Sequence, residues 1–328
     1  MPERSVVSQA IQIGVETTAG TAVSASKLLN SLAFEPGVEF ESTVFRPMGQ
    51  KYPSMVVPNR EWMTWGISGP AAYGEIVYPL NSVLVASTAS TSDTSAKIWT
   101  FTPAARTEDT VKTFTIEQGS SVRAHKAAYL LVQDYNLEFT RAGIAQSGTA
   151  ISQRLTDGIT MTGSPTAVEE KPIIPTHVDC FIDSTSAGLG GTKMTRAFRV
   201  ALNIGNRFGP VWPLDSTAPS YSSHVETEPT VQCEVRLESD ATGMGFLTNA
   251  RAGDTRFLRL RATSTELAGA ATLFYEARFD MAMKIEAVSS PVEDEDGVAV
   301  VNYTGRIVYD VTWTKALEAR VINKVSAL

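Results

Sequence analysis

Cysteine occurs only twice in the 328 residues, at Cys180 and Cys233, far apart and without CxxC spacing. That excludes a disulfide framework and a cysteine-based zinc site, and the pair reads as buried free thiols. Histidine is almost as scarce: His125, His177 and His224 each stand among non-ligand neighbours, so a metal cluster or general-base dyad has no local support. No apolar run reaches membrane-spanning length, and no basic start followed by an apolar stretch marks an export signal. The expectation is a soluble protein made in a cytoplasm, with no membrane anchor. Positive charge is also short, since 28 basic against 35 acidic residues leave a net charge of −7. The chain as a whole therefore lacks the field by which nucleic-acid binders attract phosphate, and any contact with DNA should be non-adhesive.

Motifs for chemistry are missing as well. Gly188-Leu189-Gly190-Gly191-Thr192-Lys193 has the glycines of a phosphate loop, but the Gly-Lys-Ser/Thr order is absent and strands flank it, so it reads as a hairpin turn. The acidic run Glu293 to Asp296 lacks the alternating ligand spacing of a calcium loop and reads as a solvated hairpin tip. No Gly-x-Ser-x-Gly elbow is present. Nothing points to an enzyme, and no cofactor is expected.

What the sequence has is long two-faced strands, with 43% hydrophobic residues to build a core behind them. Leu273, Tyr275, Ala277, Phe279, Met281, Met283 and Ile285 alternate with Glu276, Arg278, Asp280, Lys284 and Glu286. After Asp296-Gly297 the alternation resumes through Val301, Tyr303, Ile307, Tyr309, Val311 and Trp313. A period of two means one dry and one wet face, so 273–313 reads as a long antiparallel hairpin. Tyr129 to Thr140 carries the same pattern, and setting Asp134 on Asp280 superposes the two apolar rows. Both halves also share an order of strand, long proline-bearing loop, strand, short helical piece and two further strands. An internal duplication follows.

Taken in order, residues 1–30 form an arm in which Ile11, Ile13 and Val15 alternate; 31–160 is a first β domain; 161–177, with three prolines, is a linker; and 178–328 is a second β domain. Prolines between Glu41 and Glu61 predict a long exposed connection. Residues 71–85 predict a short helix split by Pro79, and 243–250 a second one. In the second half Val231, Cys233, Val235 and Leu237 alternate with Gln232, Glu234, Arg236 and Glu238. Long two-faced ribbons on a monomer are aggregation hazards unless closure removes their edges, and ribbons from several subunits can close into one barrel with a wet bore.

Three short elements resemble the tail tube (major tail) proteins of long, non-contractile-tailed bacteriophages. They are Ile11-Gln12-Ile13-Gly14-Val15-Glu16-Thr17-Thr18-Ala19-Gly20-Thr21-Ala22, Arg46-Pro47-Met48-Gly49-Gln50-Lys51 and Ile307-Val308-Tyr309-Asp310-Val311-Thr312-Trp313. The resemblance implies an all-β fold of the β-sandwich tail-tube type, here duplicated, each half with a short flanking helix and a long inner hairpin. It also implies rings stacked into a virion tube, assembled in the host bacterial cytoplasm, through which double-stranded DNA passes without tight binding. A tape-measure protein, a tail terminator and distal tail proteins are the implied partners beside the chain itself. With two tube units per chain, a ring of three copies would be a pseudo-hexamer, and this reading favours three over six.

Candidates for the lumen are the wet alternates Glu39, Glu41, Gln232, Glu234 and Glu238, with Asp280 and Asn302; alternation identifies a wet face but leaves open whether it meets the bore or the outer solvent. Candidates for contacts between subunits or rings are Ile11, Ile13 and Val15 on the arm and Phe208, Pro210, Trp212 and Pro213 in the long loop. The alternatives are a sandwich-built virion decoration or receptor-binding module, which predicts small discrete oligomers, and a carbohydrate-active enzyme, which requires converging paired carboxylates.

Overall fold

The computed structural model describes residues 9–215 and 218–328. The chain is mostly strand. Its first half runs β1 (Ala10–Val15), β2 (Lys27–Leu29), β3 (Ala33–Phe45), β4 (Met55–Pro70), α1 (Val77–Val83), β5 (Ser90–Asp93), β6 (Ala96–Phe101), β7 (Phe114–Gly119), β8 (Ala124–Thr140), β9 (Ile144–Ser152), β10 (Thr156–Ile159) and β11 (Thr166–Ala167). The second half runs β12 (Val178–Asp183), β13 (Ala197–Gly205), β14 (Phe208–Val211), β15 (Ser223–Glu226), β16 (Thr230–Glu238), α2 (Ala241–Ala252), β17 (Thr255–Leu267), β18 (Phe274–Val288), β19 (Glu293–Glu295), β20 (Val298–Ile307) and β21 (Leu317–Asn323).

The two halves repeat one pairing scheme. In the first, β3 pairs β4, β4 pairs β9, β9 pairs β8, and β8 also pairs β7 and β10. In the second, β13 pairs β16, β16 pairs β20, β20 pairs β18, and β18 also pairs β17 and β21. Likewise β1 lies on β7 as β12 lies on β17, and a helix follows β4 as one follows β16. The aspartates, however, are not equivalent. Asp134 sits where β8 pairs β9, opposite Thr149, whereas Asp280 sits where β18 pairs β21, opposite Glu318. Alternation is indifferent to any even shift, so it cannot fix the register between repeats.

The repeats fuse into one sheet system that shares a main core. β8 pairs β13, from Arg199 opposite Thr140 to Ile204 opposite Tyr135, and β6 pairs β21. Phe139 and Phe279, one from each half, meet edge to face with centroids 6.3 Å apart. Segment 161–177, expected as a linker, is stitched to the first half instead: β11 runs parallel to β2, Ala72 bridges Pro172, and Val168 and Ile173 are buried. Its prolines lack one donor each but leave carbonyls and apolar side chains free to pair and pack.

Three further expectations change. The hairpin read over 273–313 breaks off at Ile307, where an Asp310 carboxylate accepting from the Thr312 and Trp313 amides turns the chain into β21, leaving Tyr309 and Val311 exposed. The proline-dense region 34–67 is a paired ribbon, because Pro58 falls at a bulge opposite Ser42 and Pro36 lies on β3, whose only strand partner among the described residues is β4. Helix α1 is seven residues long and buried on all sides, with Pro79 in its first turn, where the missing N–H costs least. The Arg207 guanidinium closes the far end of α1, donating to the Val83 and Leu84 carbonyls. α2 is capped by the Asp240 carboxylate at its start and by Gly253, at φ 68°, at its end.

Both thiols are free and lie in the core. Burial pushes both thiols up, Cys180 to about 12, which disfavours the nucleophilic thiolate at neutral pH.

Candidate functional site

The face opposite the core is one polar surface built from both repeats. Across it, Ala33, Ser68, Ser147, Asn136, Asn203, Gln232, Arg306 and Lys284 stand opposite one another in a row over eight strands, β3-β4-β9-β8-β13-β16-β20-β18. The neighbouring row runs Ala145, Glu138, Ala201, Glu234 and Thr304. On the reverse of the same strands Trp65, Leu137, Leu202, Val235 and Tyr303 are buried, so each strand divides cleanly between water and core.

Four of the seven lumen candidates share this face: Gln232, Glu234 and Glu238 on β16, and Asn302 on β20 opposite Arg236. Glu39 and Glu41 lie on β3 opposite Trp62 and Arg60, beyond the last residue of β4 that pairs β9. Asp280 does not qualify. It is 2% exposed, accepts from Arg259 Nε at 2.6 Å and Nη2 at 2.9 Å, and lies 3.2 Å from Arg278 Nε. The Asp280 hydrogen bond, working against partial burial, holds the Arg259 guanidinium above its ordinary value. The alternation placed this aspartate on the wet side of β18, but the turn at Leu189, whose carbonyl accepts from Arg259, lies over it.

Arginines on the face are neutralised where they stand. Arg199 bonds Glu138 at 2.5 Å and Glu234 at 2.9 Å; partial burial opposes its charge, yet these carboxylates keep it above its ordinary value. Arg236 holds Glu293 and Glu295, Arg306 holds Glu286, and Arg60 holds Glu41. Half-exposed pairs of this kind add little stability. Their effect is on the field: the face presents carboxylates, amides and hydroxyls, with its guanidinium groups already committed.

One end of the face is covered. β14 and β15 fold over it, burying Phe208 with Tyr129, Leu131, Ile151 and Tyr221, whose hydroxyl donates to the Tyr129 carbonyl at 2.5 Å. The contact candidates therefore separate. Phe208 is 2% exposed, Pro210 is half-buried in β14, and Trp212 packs edge-on against Trp62 at 5.4 Å with the Arg60 guanidinium 4.6 Å from its ring; only Pro213 is exposed. On the arm, Ile13 is 1% exposed and Ile11 and Val15 pack on the same core, because β1 is flanked by β2 and β7. Their alternation marked a face buried within the chain, against a strand about a hundred residues away. Residues 1–8 of the expected arm lie outside the described residues.

A feature the alternation missed stands at the same end. Beyond Val38 and Met63 the β3-β4 ribbon leaves the sheet and continues to Phe45 and Met55. Seven residues of extended chain carry it roughly 24 Å past the body. Phe40, Val44, Phe45, Met48, Tyr52, Met55 and Val56 are exposed on it, Met48 fully. The signal was in the sequence, since 42–59 contains valine, methionine and aromatics but no acidic residue. Its tip turns at Gly49, φ 82°, where Gln50 N–H donates to the Pro47 carbonyl at 3.2 Å.

Among the described residues no group of three or more His, Cys, Asp or Glu could hold a metal ion, and no helix is long and apolar enough to cross a membrane. In comparisons with known proteins, no family model matches the chain and no curated protein is similar to it.

Proposed function

We propose that copies of this chain join edge to edge into a closed ring with the polar face inward, and that stacked rings form the tail tube of a long, non-contractile-tailed phage. The observation that carries this reading is the joint between the two repeats. Inside the chain, β8 of the first repeat continues into β13 of the second. The strand equivalent to β13 in the first repeat is β3, whose outer edge has no strand partner among the described residues. A thirteen-residue open edge is a site for pairing with another chain. The strand equivalent to β8 in the second repeat is β18, whose corresponding edge is paired by β17 as far as Lys284 and is left open from Ile285 to Val288, so a shorter form of the same joint made between copies, β18 to β3, propagates the repeat around a ring.

Geometry favours three copies. Four face strands per repeat give eight per chain, and strands about 4.8 Å apart, tilted about 40°, close twenty-four of them into a barrel roughly 45–50 Å across the backbone. Six copies would double that. The bore then carries a mainly acidic and uncharged polar lining that lets duplex DNA slide, since its guanidinium groups are held by carboxylates and Lys284 is the one lysine in the row, so few cations are offered for counterion release. Negative-stain microscopy of the purified full chain tests the proposal: hollow filaments of uniform width are expected, and monomers or small discrete particles at every concentration would overturn it.

A further inference from the structure

Tyr129 stands at φ 60°, a conformation that is strained for a bulky side chain and persists only where its neighbours enforce it. Three groups do so. Its amide donates to Glu16 at 2.8 Å, its carbonyl accepts from the Tyr221 hydroxyl at 2.5 Å, and its own hydroxyl lies 2.9 Å from His224 Nδ1. The ring is wedged between that of Tyr221, 4.9 Å away by centroid, and Gly20, where an added Cβ would come within 2.9 Å of it. Two of the three clamps, Tyr221 and His224, arrive with β15. That strand pairs only β14 among the described residues, in a sheet separate from the main one, and a two-stranded hairpin is marginal unless something holds it down.

We infer that the β14-β15 pair is a pH-operated cover, closed over Tyr129, Leu131 and Ile151 at neutral pH and released when His224 takes up a proton. The surroundings of His224 set the direction. The rings of Phe208 and Tyr129 stand edge-on to it at 5.7 and 5.8 Å, and burial pulls the imidazole below its ordinary range. The charged groups around it are already engaged. Glu16 accepts from the Gly20 and Tyr129 amides and from the Thr113 and Thr115 hydroxyls. Asp109 and Glu226 hold Arg207, whose guanidinium lies 5.2 Å from the Phe208 ring. Arg60, beyond Tyr221 and Trp212, is a cation paired with Glu41. Burial raises the Tyr129 and Tyr221 hydroxyls, so both stay neutral. A proton on His224 therefore meets rings and no free carboxylate, whereas in the open form water hydrates it. The closed form keeps its full advantage above about pH 6.5 and loses it as the pH falls below that value, at most about tenfold per unit. Release bares Phe208, Tyr129, Leu131, Ile151 and Tyr221, a small apolar cluster distinct from the main core, and frees Tyr129 from its clamps.

Amide hydrogen exchange of the full chain tests this, read as protection factors so that the intrinsic pH dependence of exchange is removed. Between pH 7.5 and 5.5 the amides of β14 and β15 should lose protection by roughly three- to tenfold, while those of β13 and β16 keep theirs. His224→Phe leaves a ring between Phe208 and Tyr129 and should abolish the pH response. Tyr129→Phe lacks only the hydroxyl; it should loosen the cover by a similar factor at both pH values and leave the response in place. Unchanged protection at pH 5.5, an equal loss in β13 and β16, or a response that survives His224→Phe would each overturn the switch. A cover as tight in Tyr129→Phe as in the unaltered chain would overturn the clamp on which it rests.

Discussion

Lysine in place of Glu138, Glu234 and Glu238 should turn a tube that ignores duplex DNA into one that holds it. The three substitutions change six charges per chain and release Arg199 and Arg196 from their carboxylates. All three positions are half-buried on strand faces that meet water, so the fold should tolerate them with small losses. If the new cations engage roughly six to ten phosphates, affinity should fall by about 10³–10⁵ between 50 and 200 mM salt, which is the signature of counterion release. Cosedimentation of filaments with short duplexes over a salt series measures it. The unaltered tube should carry down no duplex even at low salt; retention by the unaltered tube, or none by the variant, would contradict the assignment of this face to the bore.

The second large effect concerns folding. Asp280→Ala removes the carboxylate between Arg259 and Arg278 and leaves the largely buried Arg259 guanidinium without its carboxylate beside Arg278, which keeps only Glu318. Removing one partner of a buried ion cluster costs about 3–5 kcal/mol. For a chain of this size that lowers Tm by roughly 4–7 °C. Adding Arg259→Met should recover much of the loss, because the surviving charge goes and its aliphatic volume stays. Thermal unfolding of the single and double variants decides: a shift under about 2 °C for Asp280→Ala would show that water already reaches the site.

Asp280 also shows how far alternation reaches. Val231, Cys233, Val235 and Leu237 pack inward or against the core as their spacing requires, and Gln232, Glu234 and Glu238 face out with Asn302. The order of elements exposed the duplication for the same reason: the elements are local. What failed depends on partners distant in sequence. Nothing near Ile13 announces β7, nothing near Phe208 announces Tyr129 and Tyr221, and nothing near Asp280 announces the turn at Leu189. Proline misled in the opposite direction. Pro58 excludes a regular central ladder, as expected, yet a bulge and an open edge let the ribbon form around it.

The central claim is that β3 is an unfinished edge that a neighbouring copy completes. Amide hydrogen exchange over residues 33–45, compared between dispersed subunits and filaments, measures this directly. Dispersed, the amides turned away from β4 should exchange nearly as fast as open chain, and in filaments they should slow by a factor on the order of a hundred. Equal rates in the two forms would mean that no strand is added there, and the closed ring would fall with it.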